Sequence, residues 1–451
     1  MNTYNIVIDH TMIQNTVQTN IDESFDLFSL SLVFYLLFLG LLPSYLVCKA
    51  KINYLGFKKE LVSKVKTILL CLTLIGILIF VFTKFYTSFF REHKSLRFYT
   101  NPTYAIYSMG KYINNTFSNK DLILKEIGLD AKSIDSNNKK LTIMIVGEAA
   151  RANRFSLNGY KRQTNPLLEK EDVVNFGNLS SCGTSTAVSV PCMFSIYDRS
   201  SYTYKKGIST QNILDVLNHT KDIDILWRDN NSDSKGVALR VPYEDYRKKN
   251  NNTICNDSEC RDEGMLIGLQ EYINKSSKKD VFIVLHQMGN HGPAYYKRYP
   301  KEFEKFTPVC KTNQLEKCSV EEINNAYDNV ILYTDYFLSK VIGLLKKNNE
   351  KYQTSMIYMS DHGESLGEKG LYLHGLPYFM APSTQTHVGA MMWFGDKTQE
   401  SLNMEQIKKN ANEKYSHANL FHTILGLMKI DTSLYKKKLD ILENNTNKDT
   451  K

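Results

Sequence analysis

The 451-residue chain lacks several features that would place it in a simple class of proteins. It has no internal repeat, which excludes solenoid and propeller architectures. None of its eight cysteines forms a C-x-x-C pair of the kind found in zinc knuckles. The first 26 residues contain no Lys or Arg, and no cleavable signal peptide is recognisable there. The length and the hydrophobic fraction of 42% exclude a disulfide miniprotein and a mostly disordered chain.

Charge is absent from two long runs in the first quarter of the chain. Residues 27–48 are uncharged, and residues 67–83 are also uncharged and continue as an aromatic-rich stretch after Lys84. Because a helix needs about 20 apolar residues to cross a bilayer, we predict two transmembrane helices rather than a pair of buried core helices. The mean hydropathy of −0.34 conceals these runs because a long polar part follows them.

The charges that flank the two runs predict their orientation. Residues 49–66 carry a net charge of +5, whereas residues 1–26 carry −4. The positive-inside rule places the lysine-rich loop in the cytoplasm and both flanking parts outside it. We predict five parts: a partly helical segment (1–26), a two-span hairpin (27–90), a connector (91–139), a globular domain (140–430) and a polar tail (431–451).

Six cysteines lie in the C-terminal part, in three pairs that are close in sequence. Proximity favours the disulfides 182–192, 255–260 and 310–318 over free thiols or a zinc cluster. A domain outside the cytoplasmic membrane would be oxidised in this way. Cys48 and Cys71 lie in the apolar runs and are interpreted as inert thiols.

Short apolar runs alternate with helix-length segments from about residue 140. Unbroken apolar strands of this kind are typical of a parallel sheet covered on both faces. We therefore predict an α/β fold with a mainly parallel sheet covered by helices, with strands at 141–146, 223–227, 281–285 and 355–359. A helix is predicted over residues 320–346, where apolar residues recur at helical spacing and Thr334 is the one polar member of the stripe.

Polar residues of catalytic type follow all four predicted strands. Glu148 follows the first, Lys235 lies beyond the second, His291 follows the third, and Asp361 and His362 follow the fourth. Ligands of open α/β sheets bind at the carboxyl ends of the strands, so these segments together predict an active site. Carboxylates and imidazole suit Zn²⁺, and Glu148, Asp361 and His362 form the candidate set.

A nucleophile is predicted in the small-residue segment 181–192, which could open a helix. Backbone N–H groups at a helix start favour an anionic oxygen, and a hydroxyl at a zinc ion loses its proton more readily. Composition alone does not choose among Thr184, Ser185, Thr186 and Ser189, for which a helix N-cap is the common alternative role.

Further candidates lie outside this core set. His291 and His374 could bind a second metal or protonate a leaving group, and Lys235 could bind a phosphate. Near the N-terminus, a helix would present three polar residues on one face: Asn15, Thr19 and Glu23. From their spacing alone, we interpret this face as a solvated one.

The chain resembles the lipid A phosphoethanolamine transferases, of the alkaline phosphatase/sulfatase superfamily, which include intrinsic and mobile colistin-resistance enzymes. The resemblance rests on CGTSTAVSVPCMFS (182–195), WRDNNSDSKGV (227–237), LHQMGNHGPAYYKRY (285–299) and SDHGESLGEKGLYLHG (360–375), and on GEAARANRFSLNGYKRQTNP (147–166). It implies the zinc ligands Glu148, Thr186, Asp361 and His362, with Thr186 as the nucleophile that carries phosphoethanolamine. It also implies that His291 and His374 bind substrate or a second zinc, that Lys235 contacts the donor phosphate, and that Asn15, Thr19 and Glu23 contact the ethanolamine head group.

The resemblance further implies a function. The expected enzyme is a monomer of the bacterial inner membrane that spans it more than once, with its catalytic domain in the periplasm and no nucleic-acid partner. It would move phosphoethanolamine from phosphatidylethanolamine to lipid A, lower the negative charge of lipopolysaccharide and confer polymyxin and colistin resistance. Family members have five transmembrane helices, and this chain matches them from just before the fourth.

Two alternatives remain at this point. One is a zinc phosphodiesterase or sulfatase, although no C/S-x-P-x-R sulfatase motif surrounds Thr186. The other is a truncated, transferase-impaired membrane remnant or a non-enzymatic assembly module.

Overall fold

The structure, a computed structural model, describes residues 6–19, 24, 28–51, 56–117, 122–134, 138–256 and 259–443. The chain forms two compact units. One unit is Leu27–Tyr104, and the other combines Met1–Asp26 with Ala105–Lys451. We call them the membrane unit and the catalytic unit.

The described helices and strands are as follows. The helices are α1 His10–Gln18, α2 Leu30–Lys49, α3 Phe57–Val81, α4 Thr83–Glu92, α5 Thr103–Phe117, α6 Thr186–Met193, α7 Tyr204–Ile208, α8 Ile213–His219, α9 Leu269–Lys275, α10 Val320–Lys346, α11 Ser383–Thr386, α12 Asp396–Gln399, α13 Met404–Asn410 and α14 Leu420–Leu427. The strands are β1 Lys132–Ser133, β2 Lys139–Gly147, β3 Val173–Asn175, β4 Leu179–Ser180, β5 Ile223–Asp229, β6 Tyr243–Asp245, β7 Asp280–His286, β8 Tyr352–Ser360, β9 Ser365–Leu366, β10 Tyr372–Leu373, β11 His387–Val388, β12 Ala390–Phe394, β13 Tyr415–Ser416 and β14 Ile430–Asp431.

The membrane unit contains two helices that are long and apolar enough to span a bilayer. They are α2 and α3, and none of their side chains is buried within the protein. At 1.5 Å per residue, the 20 residues of α2 extend for about 30 Å, the thickness of the hydrocarbon core. Helix α3 begins at Phe57, so part of the predicted lysine-rich loop is helical.

A seven-stranded sheet forms the centre of the catalytic unit, in the order β3-β12-β8-β2-β7-β5-β6. The pairings among β8, β2, β7, β5 and β6 are parallel, whereas β12 pairs antiparallel with both β8 and β3. All four predicted strands are confirmed. Because β8, β2, β7 and β5 are neighbours, the polar segments that follow them meet at one edge.

Apolar side chains fill both faces of this sheet. Along β2, Met144 and Val146 join one core cluster, whereas Ile143 and Ile145 join the other. Burial on both faces explains why the strands lack the alternation of a half-exposed sheet. Helix α10 covers the second face, and its Ser319–Glu322 capping box starts it at Val320 as the spacing predicts.

The catalytic unit extends beyond the predicted domain boundaries of residues 140 and 430. Strand β1 lies in the predicted connector and pairs antiparallel with β14. After β14, the side chains of Ile441 and Leu442 are buried. Apolar side chains therefore hold the start of the predicted polar tail in the core; residues 444–451 lie outside the described part of the chain.

Three disulfides join Cys182 to Cys192, Cys255 to Cys260 and Cys310 to Cys318, which confirms the pairing predicted from proximity. Cys48 and Cys71 are free.

Candidate active site

A buried cluster of two carboxylates and an imidazole lies at the carboxyl edge of the sheet. Glu148 directly follows β2, and Asp361 and His362 directly follow β8. All three side chains are fully buried. His362 Nε2 lies 3.3 Å from Glu148 Oε1 and 3.4 Å from Asp361 Oδ2.

The cluster has the donor atoms that a metal ion requires. His362 Nδ1 is 2.9 Å from the Gly363 carbonyl; with its proton on Nδ1 the ring turns the lone pair of Nε2 toward the carboxylates. Glu148 Oε1 and Asp361 Oδ2 are buried, and the same atom, His362 Nε2, faces both of them. Such oxygens are costly to bury without a compensating cation. These three residues therefore fit a divalent cation, and nitrogen plus carboxylate ligands suit zinc.

The pKa values reflect the crowding of charge in the cluster. Burial would raise the pKa of Glu148, but the charge of His362 and its hydrogen bond hold it well below the usual range. Burial and the charge of Glu148 raise the pKa of Asp361 to about 6. Burial would lower the pKa of His362, but Asp361 and Glu148 raise it to about 10. The cluster thus favours positive charge at its centre.

Thr186 is the hydroxyl residue that contacts this cluster. It is the first residue of α6, and its Oγ1 lies 3.0 Å from Glu148 Oε2 and 3.3 Å from His362 Nε2. Thr184 Oγ1 instead donates to the Leu376 carbonyl, and the Ser189 hydroxyl donates to the Asp361 carbonyl. Ser185 Oγ is buried without a hydrogen-bond partner. Of the four candidate hydroxyls, Thr186 is therefore the one whose contacts suit a nucleophile at this cluster.

A small pocket of about 50 Å³ lies over Thr186, and we call it the donor pocket. Six of the residues that the resemblance assigns to the site line it: Thr186, Lys235, His291, His374, Asn15 and Thr19. Ser185, a nucleophile candidate from composition, also lines it, as do the unpredicted Gln18, Ala187 and Ser232. Residues from α1 thus form one wall, although 170 residues separate them from Thr186.

The predicted polar face of the N-terminal segment is only partly correct. Helix α1 ends at Gln18, and Thr19 has an extended backbone at its C-cap. One continuous helix therefore does not carry all three predicted residues, although Asn15 and Thr19 both line the donor pocket. Glu23 lies outside the described residues.

Lys235 and His374 reach the donor pocket from opposite loops. The Lys235 side chain is only 6% exposed, and its ammonium donates to the carbonyls of Gln18 and Ser232. His374 Nδ1 lies 3.0 Å from Glu364 Oε2, and Glu364 Oε1 accepts a hydrogen bond from Tyr295. An ion-pair partner on Nδ1 orients the ring and leaves Nε2 for a substrate.

Sequence reasoning missed several residues that support these groups. Asn231 donates to Glu148 Oε2 at 2.9 Å and to the Gln287 carbonyl at 2.7 Å. Glu364 was likewise not singled out. Both lie in segments that follow predicted strands. Their closeness in sequence to Lys235 and His362 was the signal that could have identified them as site residues.

Comparisons with known proteins agree with this geometry. Residues 1–117 match the family model described as phosphoethanolamine transferase EptA/EptB, and residues 140–430 match the sulfatase model. The chain is 46% identical over 408 residues to the phosphatidylethanolamine transferase Mcr-2 of Escherichia coli, covering 88% of this chain and 76% of the relative. It is 42% identical over 450 residues to phosphoethanolamine transferase EptA of E. coli K12, covering 98% and 82%.

A solved structure shows the same arrangement. The integral membrane lipooligosaccharide phosphoethanolamine transferase A of Neisseria meningitidis superposes with a TM-score of 0.92 at 36% identity, covering 98% of this chain and 83% of that one. Identity at this level over most of both chains establishes homology. The chain therefore belongs to the EptA/Mcr family of phosphoethanolamine transferases and is an enzyme of that family.

Proposed function

We propose that this enzyme transfers phosphoethanolamine from phosphatidylethanolamine to a phosphate of lipid A through a phosphorylated Thr186, with zinc as its metal. The observation that carries the proposal is the 3.0 Å contact between Thr186 Oγ1 and Glu148 Oε2 within the buried cluster. The Neisseria homologue is named for transfer to lipooligosaccharide, and lipid A is the membrane anchor of that class of glycolipid.

Glu148, Asp361, His362 and Thr186 would hold the zinc ion. When bound, the ion would supply the positive charge that stabilises the deprotonated hydroxyl of Thr186 and the charge on the transferred phosphoryl group. Two buried carboxylate oxygens that face the same His362 nitrogen support this assignment.

In the first half-reaction, Thr186 Oγ1 attacks the donor phosphorus. A bond forms between Oγ1 and phosphorus, and the bond from phosphorus to the diacylglycerol oxygen breaks. The hydroxyl proton leaves toward Glu148 Oε2, and His374 Nε2 supplies a proton to the diacylglycerol oxygen. Lys235 holds the phosphate, while Asn15 and Thr19 face the ethanolamine group.

In the second half-reaction, an oxygen of the acceptor phosphate attacks the same phosphorus. The bond between phosphorus and Thr186 Oγ1 breaks, Thr186 recovers its proton from Glu148, and the proton of the acceptor phosphate passes to His374. The position of Thr186 at the start of α6 favours both steps, because helix N-terminal N–H groups stabilise anionic oxygens.

Three features support a site in the periplasm at the inner membrane. These are the two apolar helices, the lysine-rich segment between them, and the three disulfides of the catalytic unit. Addition of an amine there would reduce the negative charge of lipid A. Cationic peptides such as polymyxins would bind more weakly as a result.

The test is mass spectrometry of lipid A from a bacterial host that expresses the chain. Wild type is expected to add phosphoethanolamine and raise polymyxin tolerance, and Thr186→Ala is expected to abolish both. Ser401→Ala is the control, because that exposed hydroxyl donates to the Thr398 carbonyl. Unmodified lipid A from a well-expressed wild type would overturn the proposal, and free phosphoethanolamine as product would identify a hydrolase.

A further inference from the structure

We propose that a second, basic cavity beside the donor pocket binds the phosphorylated head group of the acceptor lipid. This inference rests on the transferase function proposed above and specifies where its second substrate lies. The cavity has a volume of about 580 Å³ and lies within the catalytic unit. We call it the acceptor cavity.

The acceptor cavity and the donor pocket are separated by α1 and meet at the nucleophile. Asn15 and Gln18 of α1 face the donor pocket, whereas His10 and Gln14 face the acceptor cavity. Ala187, the residue after Thr186, lines both. A ligand in the acceptor cavity is therefore next to the residue that carries the transferred group.

The volumes of the two cavities suit different substrates. The donor pocket, at about 50 Å³, suits a small group such as phosphoethanolamine. The acceptor cavity falls in the range of roughly 300–1,000 Å³ that is typical of sites for larger ligands. A phosphorylated sugar fits the larger space. The acceptor oxygen attacks phosphorus opposite Thr186 Oγ1, from the side that diacylglycerol has left, so the rest of the acceptor needs space beside the donor pocket.

The charge of the acceptor cavity matches a phosphate. Its lining includes the cations Lys111, Arg199 and Lys205 together with His10, and the described residues that line it include no Asp or Glu. Within the described part of the chain, no carboxylate forms an ion pair with Lys111, Arg199 or Lys205. The ammonium and guanidinium groups are therefore available to an anionic ligand.

A buried hydroxyl adds a specific donor to this lining. The Tyr202 hydroxyl is buried and has no hydrogen-bond partner. Burial raises its pKa well above the usual range, so it stays protonated and can donate. Arg199 lies with its guanidinium carbon 3.4 Å from the centre of the Tyr378 ring, which fixes its position at the rim.

In the proposed complex, the acceptor phosphate lies next to the phosphorus on Thr186. An oxygen of the acceptor phosphate monoanion forms a bond to the phosphorus on Thr186, and the bond from that phosphorus to Oγ1 breaks. Glu148 returns its proton to Oγ1, and the proton of the acceptor phosphate passes to His374 Nε2, which lost one in the first half-reaction. The products are a diphosphate-linked ethanolamine on the acceptor and free Thr186.

The test separates the two half-reactions of the intact chain in detergent micelles. Release of labelled diacylglycerol from phosphatidylethanolamine, without acceptor, reports the first half-reaction. Transfer to bisphosphorylated lipid A reports the whole cycle. The variant is Lys111→Gln/Lys205→Gln, and the matched control is Lys206→Gln, a lysine next to Lys205 whose ammonium donates to the Ser201 carbonyl.

The double variant is expected to raise the KM for lipid A at least tenfold more than it changes diacylglycerol release. The control is expected to match wild type in both assays. A monophosphorylated lipid A should show a smaller difference between variant and wild type. Phosphatidylglycerol or inorganic phosphate should not compete at concentrations near the KM for lipid A if the sugar head group is recognised.

Three results would overturn the inference while leaving the proposed function intact. They are an unchanged KM for lipid A in the double variant, an equal loss in diacylglycerol release, and equally effective competition by phosphatidylglycerol. The second would assign the cavity to the donor, and the third would indicate a general anion surface. Failure of wild type to modify lipid A would instead overturn the proposed function.

Discussion

The side-chain amide of Asn231 donates a hydrogen bond of 2.9 Å to Glu148 Oε2, the same oxygen that lies 3.0 Å from Thr186 Oγ1. A second bond of the amide, to the Gln287 carbonyl, fixes its direction. Asn231 thus orients a proposed metal ligand without touching the metal position itself.

Replacement of Asn231 should therefore weaken metal binding. We expect Asn231→Ala to lower zinc affinity about 10- to 100-fold, the usual effect of losing a residue that orients a ligand. Competition with a chromophoric chelator measures this directly. Asn251→Ala is the control, because that exposed amide bonds only the Asp245 carbonyl. Equal affinity in Asn231→Ala and wild type would show that Glu148 is oriented by other contacts.

Metal removal should destabilise the catalytic unit. Without a cation, the buried carboxylates of Glu148 and Asp361 lie together around the single imidazole of His362. For a metal present at a hundred times its dissociation constant, removal costs about 2.7 kcal/mol. Thermal unfolding with and without a chelator measures the loss. The Glu148→Gln/Asp361→Asn variant should respond little to the chelator, and an unshifted wild-type midpoint would contradict a metal at this position.

Acidification should destabilise the fold through His417. Its Nδ1 accepts the N–H of Cys182 at 3.1 Å, and its Nε2 lies 3.0 Å from the Ser360 carbonyl, so the neutral ring satisfies both neighbours. Burial lowers the pKa of His417 to about 4, below the usual 6.5. Its contribution to stability is full above pH 6.5 and is lost as the pH falls toward 4, by about 2 kcal/mol at pH 5.

Thermal midpoints at pH 7.5 and pH 5 check this expectation. The Asn side chain can accept the Cys182 N–H but does not titrate. His417→Asn should therefore lower the midpoint at pH 7.5 and show a smaller drop between the two pH values than wild type does. An identical drop in both proteins would assign the acid sensitivity to other groups.

Sequence patterns predicted the parts of the fold that depend on local burial. The runs that became β2, β5, β7 and β8 are apolar throughout because both faces of the sheet are covered. Strand β12 was not predicted. It is a five-residue strand, and its place at β8 depends on an antiparallel pairing with a distant segment.

The site divides in the same way. Residue type, and a position directly after a predicted strand, predicted that Glu148, Asp361 and His362 would meet. The choice of Thr186 over Ser189 depended on which hydroxyl faces the cluster, and composition does not encode that direction. Spacing also extended one helical face through Thr19, whereas the backbone turns extended there.

Helix α1 precedes the membrane unit in sequence but belongs to the catalytic unit, which is therefore assembled from two stretches of chain. A soluble fragment that starts after the membrane helices would lack a wall of both substrate spaces. Inhibitors selected for binding to such a fragment would be selected on an open groove. Compounds that fill the space left by α1 would have to compete with α1 in the enzyme that contains it. Screening against the 451-residue chain, which includes α1, avoids that bias.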